Sequence, residues 1–231
     1  MVKKDSSEAT LDTKVAELFK LSAHLGHKSN RIHPKAKKFI YRMDNGVSII
    51  DLTQTVQLLD VAKKFISDLA KDSKKILFVV TKKNVSPLTE KICKENSLPY
   101  VTVKWPAGLL TNFETLLKNI NKLKSMKEEK ETGDWSKFVK HEQIKLQKHL
   151  NRLEKFYGGL ISIDRLPDAL VVVDIKKEKT AILEAVRMNI PVVAVVDTNV
   201  DPKQIKYPIP ANDDSPETVE FIIKEIAKSY K

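Results

Sequence analysis

An α/β fold, a parallel sheet with helices on both faces, is predicted by three features of this 231-residue chain. Four short runs, at residues 76–80, 100–103, 169–173 and 192–196, are rich in Val and Ile and do not alternate with polar residues. That is the pattern of strands buried on both sides. Stretches of helical spacing lie between or after these runs, as crossovers between parallel strands require. Residues of hydrophobic type make up 42% of the chain and charged residues 31%, enough apolar mass for one large core without a disordered composition.

The elements follow in order. Residues 1–13 are polar and of mixed charge, unlike a secretory signal. Residues 14–23 have helical spacing through Val15, Leu18 and Phe19, and a basic loop follows. Residues 39–41 and 47–50 flank Asp44-Asn45-Gly46, which predicts a hairpin. Asp51 caps a helix to about Asp68, Gln54 completes a capping box, and Val56, Leu59, Ala62, Ile66 and Leu69 form its inward stripe. Ser86-Pro87 opens another helix, Ser as N-cap and Pro at the first helical position, ending near Ser97-Leu98-Pro99.

Some sixty-five residues then separate the second and third strands, far more than a crossover needs. Thr111 and Glu114 form a second capping box. Phe113, Leu116, Ile120 and Leu123, then Leu146, Leu150, Leu153 and Tyr157, recur at coiled-coil spacing on either side of a polar stretch containing Gly133. Two such helices bury their seams against each other, which predicts an antiparallel hairpin projecting from the sheet. Its outer face carries Lys118, Lys122, Lys124, Lys140, Lys145, Lys148 and Arg152, and Gly158-Gly159 provides a flexible return. A helix at residues 177–189 and one starting at Ser215-Pro216-Glu217 complete the chain. The organisation expected is 1–110 for the basic region and first half of the α/β domain, 111–158 for the hairpin, and 159–231 for the second half.

Charge is distributed unevenly. The chain has 41 Lys and Arg against 30 Asp and Glu, a net charge of +11. Between Lys20 and Arg42 stand seven cations and no carboxylate: Lys20, Lys28, Arg31, Lys35, Lys37, Lys38 and Arg42, with His24, His27 and His33 among them. Such a surface repels itself until a polyanion neutralises it, and a nucleic-acid backbone fits that need. Lys82, Lys83 and Lys104 extend the patch from the sheet edge. Trp105 is placed to stack on a base or to close a strand end, and Asn112 to contact RNA or to start a helix.

Support for catalysis is sparse. With 6 glycines there is no phosphate-binding loop, and no nucleophile elbow or Ser/His/Asp context appears. The single cysteine, Cys93, excludes a disulfide framework, and no apolar run is long enough to cross a bilayer. The chain is expected to be intracellular. His24 and His27 lack an acidic partner nearby in sequence, so capping or RNA contact is the reading adopted for them. Asp197, Asp213 and Asp214 follow predicted strand ends, where they fit either a divalent cation or ordinary turn chemistry. The alternative function is a doubly wound, metal-assisted enzyme acting on a phosphorylated or nucleotide substrate.

Several motifs occur together and in order: Ala23-His24-Leu25-Gly26-His27, Asn45-Gly46-Val47-Ser48-Ile49-Ile50-Asp51-Leu52, Leu109-Leu110-Thr111-Asn112-Phe113, Leu166-Pro167-Asp168-Ala169-Leu170, Ile190-Pro191-Val192-Val193-Ala194-Val195-Val196-Asp197-Thr198-Asn199 and Ile209-Pro210-Ala211-Asn212-Asp213-Asp214. From about Leu18 to Ile226 the chain resembles the bacterial small-subunit ribosomal protein two family. The resemblance implies a flavodoxin-like sheet with an inserted coiled-coil hairpin, and a structural, non-catalytic role in the cytoplasm. It implies rRNA binding at the head–body junction of the small subunit, beside other ribosomal proteins, with no membrane and no small-molecule substrate. It further implies docking of the mRNA-binding ribosomal protein one, with Tyr41 at the stacking position. No cofactor is required, although a zinc pocket is associated with the positions of Asp197, Asp213 and Asp214. Local departures are Ile32-His33-Pro34-Lys35 for Trp-Asn-Pro-Lys, and Lys104-Trp105-Pro106-Ala107-Gly108 for Arg-Trp-Leu-Gly-Gly.

Overall fold

The computed structural model describes residues 6–230; residues 1–5 of the polar N-terminal segment lie outside the described residues. In chain order the elements are α1 (Ser6–Lys20), β1 (Leu25–Lys28), β2 (Ile40–Asp44), β3 (Val47–Ile50), α2 (Leu52–Lys71), β4 (Ile76–Val79), α3 (Ser86–Glu95), β5 (Tyr100–Val101), α4 (Phe113–Glu131), α5 (Lys140–Tyr157), β6 (Ala169–Val173), α6 (Lys179–Arg187), β7 (Val192–Val196), β8 (Tyr207–Pro210) and α7 (Pro216–Ser229). Strands β5-β4-β6-β7-β8 form one parallel sheet, ordered 2-1-3-4-5 as in flavodoxin-like folds.

Alternate residues of each strand feed two separate cores. Ile76 and Phe78 face α2, α3 and α7, where Ile66, Cys93 and Ile222 meet them. Leu77 and Val79 face α6 and the start of α4, with Ala185, Leu110 and Ile120 opposite. Burial on both faces explains the unbroken apolar runs, each such side chain contributing about 1.5–3 kcal/mol. The α2 stripe from Val56 to Leu69 is buried along its length. Asp51 caps α2 by accepting from the Thr53 and Gln54 amides; Gln54 returns its side-chain amide to the Asp51 carboxylate rather than to a backbone N–H.

Several expectations are corrected. The basic stretch is not one loop: β1 pairs antiparallel with β3, and β2 pairs on its other side. The Asn45-Gly46 turn is as expected, with φ of 46° and 77°. Strand β8 was hidden by Pro208 and Pro210, tolerated because it is an edge. Ser86 is the first residue of α3 and Val85 its cap. The Thr111–Glu114 box does not form: Asn112 precedes α4 without a side-chain cap bond, and Thr111 N–H points to Glu184 instead. Gly158 and Gly159 belong to a 3-10 turn rather than a loose return. Gly159 is required by close approach, since a Cβ there would overlap the Tyr100 carbonyl oxygen.

Helices α4 and α5 meet through Leu123, Met126, Leu150 and Leu153, closed at the connecting turn by Trp135. Asn119 bonds Tyr157 and Lys127 pairs with Glu154, so the two run in opposite directions. Near the sheet, Phe113, Leu116 and Ile120 instead join the sheet core.

Candidate nucleic-acid interface

The three-stranded N-terminal sheet is fastened to the C-terminal edge of the parallel sheet chiefly around Thr198, just past the end of β7, with Asn199 beside His27 as a further link. The Thr198 hydroxyl accepts from the His27 amide (2.9 Å) and the Ser48 hydroxyl (3.1 Å), and donates to Asp197. Its carbonyl accepts from His33 N–H at 2.8 Å. Gly26 is needed here, because a Cβ would collide with Ser48 and Thr198. This knot places the basic arm over the edge where the loops after β4 to β8 converge.

Lys28, Arg31, Lys35, Lys37, Lys38 and Arg42 are all exposed there. Lys35 pairs with Asp201 at 2.6 Å, and Lys38 sits over the Phe39 ring. Tyr41 on β2 is 71% exposed, an open ring face beside these cations. Lys83, Lys104 and Asn112 are exposed at the same sheet edge. Lys145, Lys148 and Arg152 are exposed along α5.

Two residues differ from expectation. Trp105 is only 6% exposed and donates its indole N–H to Glu184 (3.0 Å), so it supports the loop and has no face free for stacking. Lys82 is turned inward, 2.7 Å from both Asp213 and Asp214, and its charge is already matched. Although burial pulls the Lys82 amine down, its two carboxylate partners raise it overall. Burial pushes Asp213 up to about 6 against the Lys82 hydrogen bond, with the Asp197 charge adding to the rise. The Lys82 hydrogen bond holds the more exposed Asp214 below the ordinary carboxylate range.

Two of the three expected aspartates lie in a group that could hold a cation. His27, Asp197 and Asp214 bring one ligand atom each within 4.8 Å of one another; Lys82 pairs with both Asp214 and Asp213, and Asp213 lies outside the group. His27 Nδ1 lies 3.1 Å from Asp197 Oδ2, yet both atoms are buried without a hydrogen bond. Asn199 Nδ2 is 3.0 Å from His27 Nε2, and Asn199 Oδ1 is likewise unpartnered. Rotating that amide by half a turn lets Nε2–H donate to Oδ1 and leaves Nδ1 a lone pair facing the carboxylates. A cation there satisfies the remaining atoms, and one imidazole with two carboxylates suits zinc with an open fourth position. The residues fit the metal.

The closeness of His27 to these aspartates was not visible in the sequence, because they come from the far end of the chain. Sequence reasoning missed Glu184, whose carboxylate accepts from Trp105, Gly108, Leu110 and Thr111 and so shapes the loop carrying Lys104 and Asn112. The available signal was a carboxylate on the buried arc of α6, beside Ala181 and Ala185.

Comparison with known proteins identifies the family. The family described as Ribosomal protein S2 matches residues 18–231. Small ribosomal subunit protein uS2 of Karelsulcia muelleri (strain GWSS) is 35% identical over 215 residues, 93% of this chain and 97% of that protein. The protein of the same name from Dehalococcoides mccartyi (strain CBDB1) is 39% identical over 215 residues, 93% of this chain and 88% of that protein. With the family match spanning residues 18–231 and relatives 35–39% identical over 93% of its length, this chain belongs to the ribosomal protein S2 family, whose members are structural and not enzymatic.

Proposed function

We propose that this protein is a structural constituent of the small ribosomal subunit in the cytoplasm, which binds rRNA through two separate cationic surfaces at the head–body junction. The first is the arm of Lys28, Arg31, Lys35, Lys37, Lys38 and Arg42, extended by Lys83, Lys104 and Asn112. The second is the α5 face with Lys145, Lys148 and Arg152, on a coiled-coil hairpin (residues 111–158) inserted between two halves of the α/β domain (1–110 and 159–231). Phosphate contacts of this kind position a protein without reading sequence, so specificity comes from RNA shape and neighbouring proteins. The observation that carries the reading is the arm itself: among the described residues, Lys28, Arg31, Lys37 and Arg42 have no ion-pair partner, on a surface pinned by Thr198. Family membership replaces the enzyme alternative.

Tyr41, exposed beside the arm, is proposed to stack on ribosomal protein one as it docks. His27, Asp197 and Asp214 would hold a zinc ion that clamps the N-terminal sheet to the ends of β7 and β8, a structural bond and not a catalytic one.

Charge reversal of Lys35, Lys37 and Lys38 to Glu tests the arm. Binding of the full-length variant to small-subunit rRNA is expected to weaken by more than about 100-fold near 0.1 M salt, with a flatter salt dependence. Unchanged affinity removes these residues from the interface.

A further inference from the structure

Two clefts adjoin at His27 and Arg31, and they differ in chemical character. Asp197 and Asp214 line one of them. The other, about 440 Å³, is completed by Lys176 and Asn199 and has no carboxylate in its lining. Lys176 lies in the loop between β6 and α6, so the pocket joins the N-terminal arm to the parallel sheet.

The basic cleft is electrostatically incomplete. Arg31 and Lys176 are exposed, and neither side chain has an ion-pair or hydrogen-bond partner among the described residues. Some basic neighbours are matched: Lys35 pairs with Asp201, Lys82 with Asp213 and Asp214, and Lys177 donates to the Thr81 carbonyl at 2.7 Å, whereas Lys28 in the adjoining cleft is not matched among the described residues. Two unmatched cations lining one concave site repel each other until an anion enters. A guanidinium fork spans two oxygens of a phosphate, and an ammonium in the same lining adds a point charge.

We propose that this cleft seats a single phosphate, shared between Arg31 and Lys176, and that it belongs to the RNA backbone; inorganic phosphate is the other source of the same chemistry. The assignment rests on the RNA-binding reading above. It adds Lys176, a residue of the parallel-sheet half, and it specifies one shared contact instead of two independent ones.

The test measures affinity of the full-length protein for purified small-subunit rRNA across a range of salt. Wild type is compared with Arg31→Gln, Lys176→Gln and the double variant. Each single change is expected to weaken binding about five- to tenfold, with the second adding little to the first. The slope of log affinity against log salt in the double variant falls by about 0.7–0.9, the value for one phosphate. A fall of about twice that overturns the shared contact, and unchanged rRNA affinity with no binding of inorganic phosphate overturns the site. If inorganic phosphate binds wild type but not the double variant while rRNA affinity is equal, the ligand is free phosphate and the RNA assignment is overturned. The Lys35, Lys37, Lys38 to Glu variant, run alongside, keeps the two readings apart. Its failure to weaken binding removes the arm, whereas weakening by it alone removes only the cleft.

Discussion

At the scale of single residues, the sheet edge is governed by which buried groups are matched. His27 Nδ1 and Asp197 Oδ2 are not, and the proposed metal ion would partner both. Purified protein is expected to bind one zinc per chain, and His27→Ala to lower that affinity by more than the roughly 10- to 100-fold typical of losing an outer-shell partner, read by isothermal titration; equal affinity excludes His27 as a ligand. Asp213 gives a pH dependence of definite sign. Its folded value of about 6 lies above the ordinary 3.8, so the folded state holds the proton more tightly than the unfolded chain. Its contribution is therefore complete below pH 3.8 and lost as pH rises through 6, about 3 kcal/mol in all. With chelator present, Asp213→Asn should gain stability relative to wild type across that window, as read by urea unfolding; a constant difference contradicts the assignment. None of this pairing was legible in the sequence. Asp197 and the 213–214 pair stood out as strand-end carboxylates, but which one would meet His27 and which Lys82 depends on loop directions set only by the folded sheet.

Among elements, β4, β6 and β7 were legible nearly to the residue, since burial on both faces leaves no room for polar side chains. The run expected at 100–103 forms only the two-residue edge strand β5, with Val103 43% exposed. The exceptions have physical causes. Strand β1 reads Leu-Gly-His-Lys and is held by pairing to β3 rather than by apolar content. Strand β8 carries two prolines that an edge accepts. The glycine pair before β6 looked like a hinge, yet its two members do different work. Gly158 is helical, and a Cβ there would meet only Glu154 at an ordinary 3.5 Å. Gly159 is pressed against the Tyr100 backbone and ring. Gly159→Ala should therefore cost about 2–3 kcal/mol, while Gly158→Ala stays within about 1 kcal/mol of wild type. Equal effects in thermal unfolding would show that the turn is not tightly packed on β5.

For the whole molecule, the net charge of +11 is divided between an arm tied to the sheet edge and a face of α5. The arm's composition was readable at once, because seven cations without a carboxylate are visible in any window. Its attachment was not, because Thr198 and the parallel sheet meet β1 and β3 across most of the chain length. Rigid attachment matters to function: a pinned arm presents its cations in a fixed spacing and can match a folded RNA, whereas a free one would bind polyanions indiscriminately.

Crosslinking of the protein to rRNA in assembled small subunits, mapped by mass spectrometry to both residue and nucleotide, tests this account most directly. The account predicts two clusters of crosslinks, one within residues 28–42 and one on α5 near Lys145, Lys148 and Arg152, to rRNA segments separate in sequence. Crosslinks confined to one surface, or absent from both while the protein is present in the particle, would contradict it.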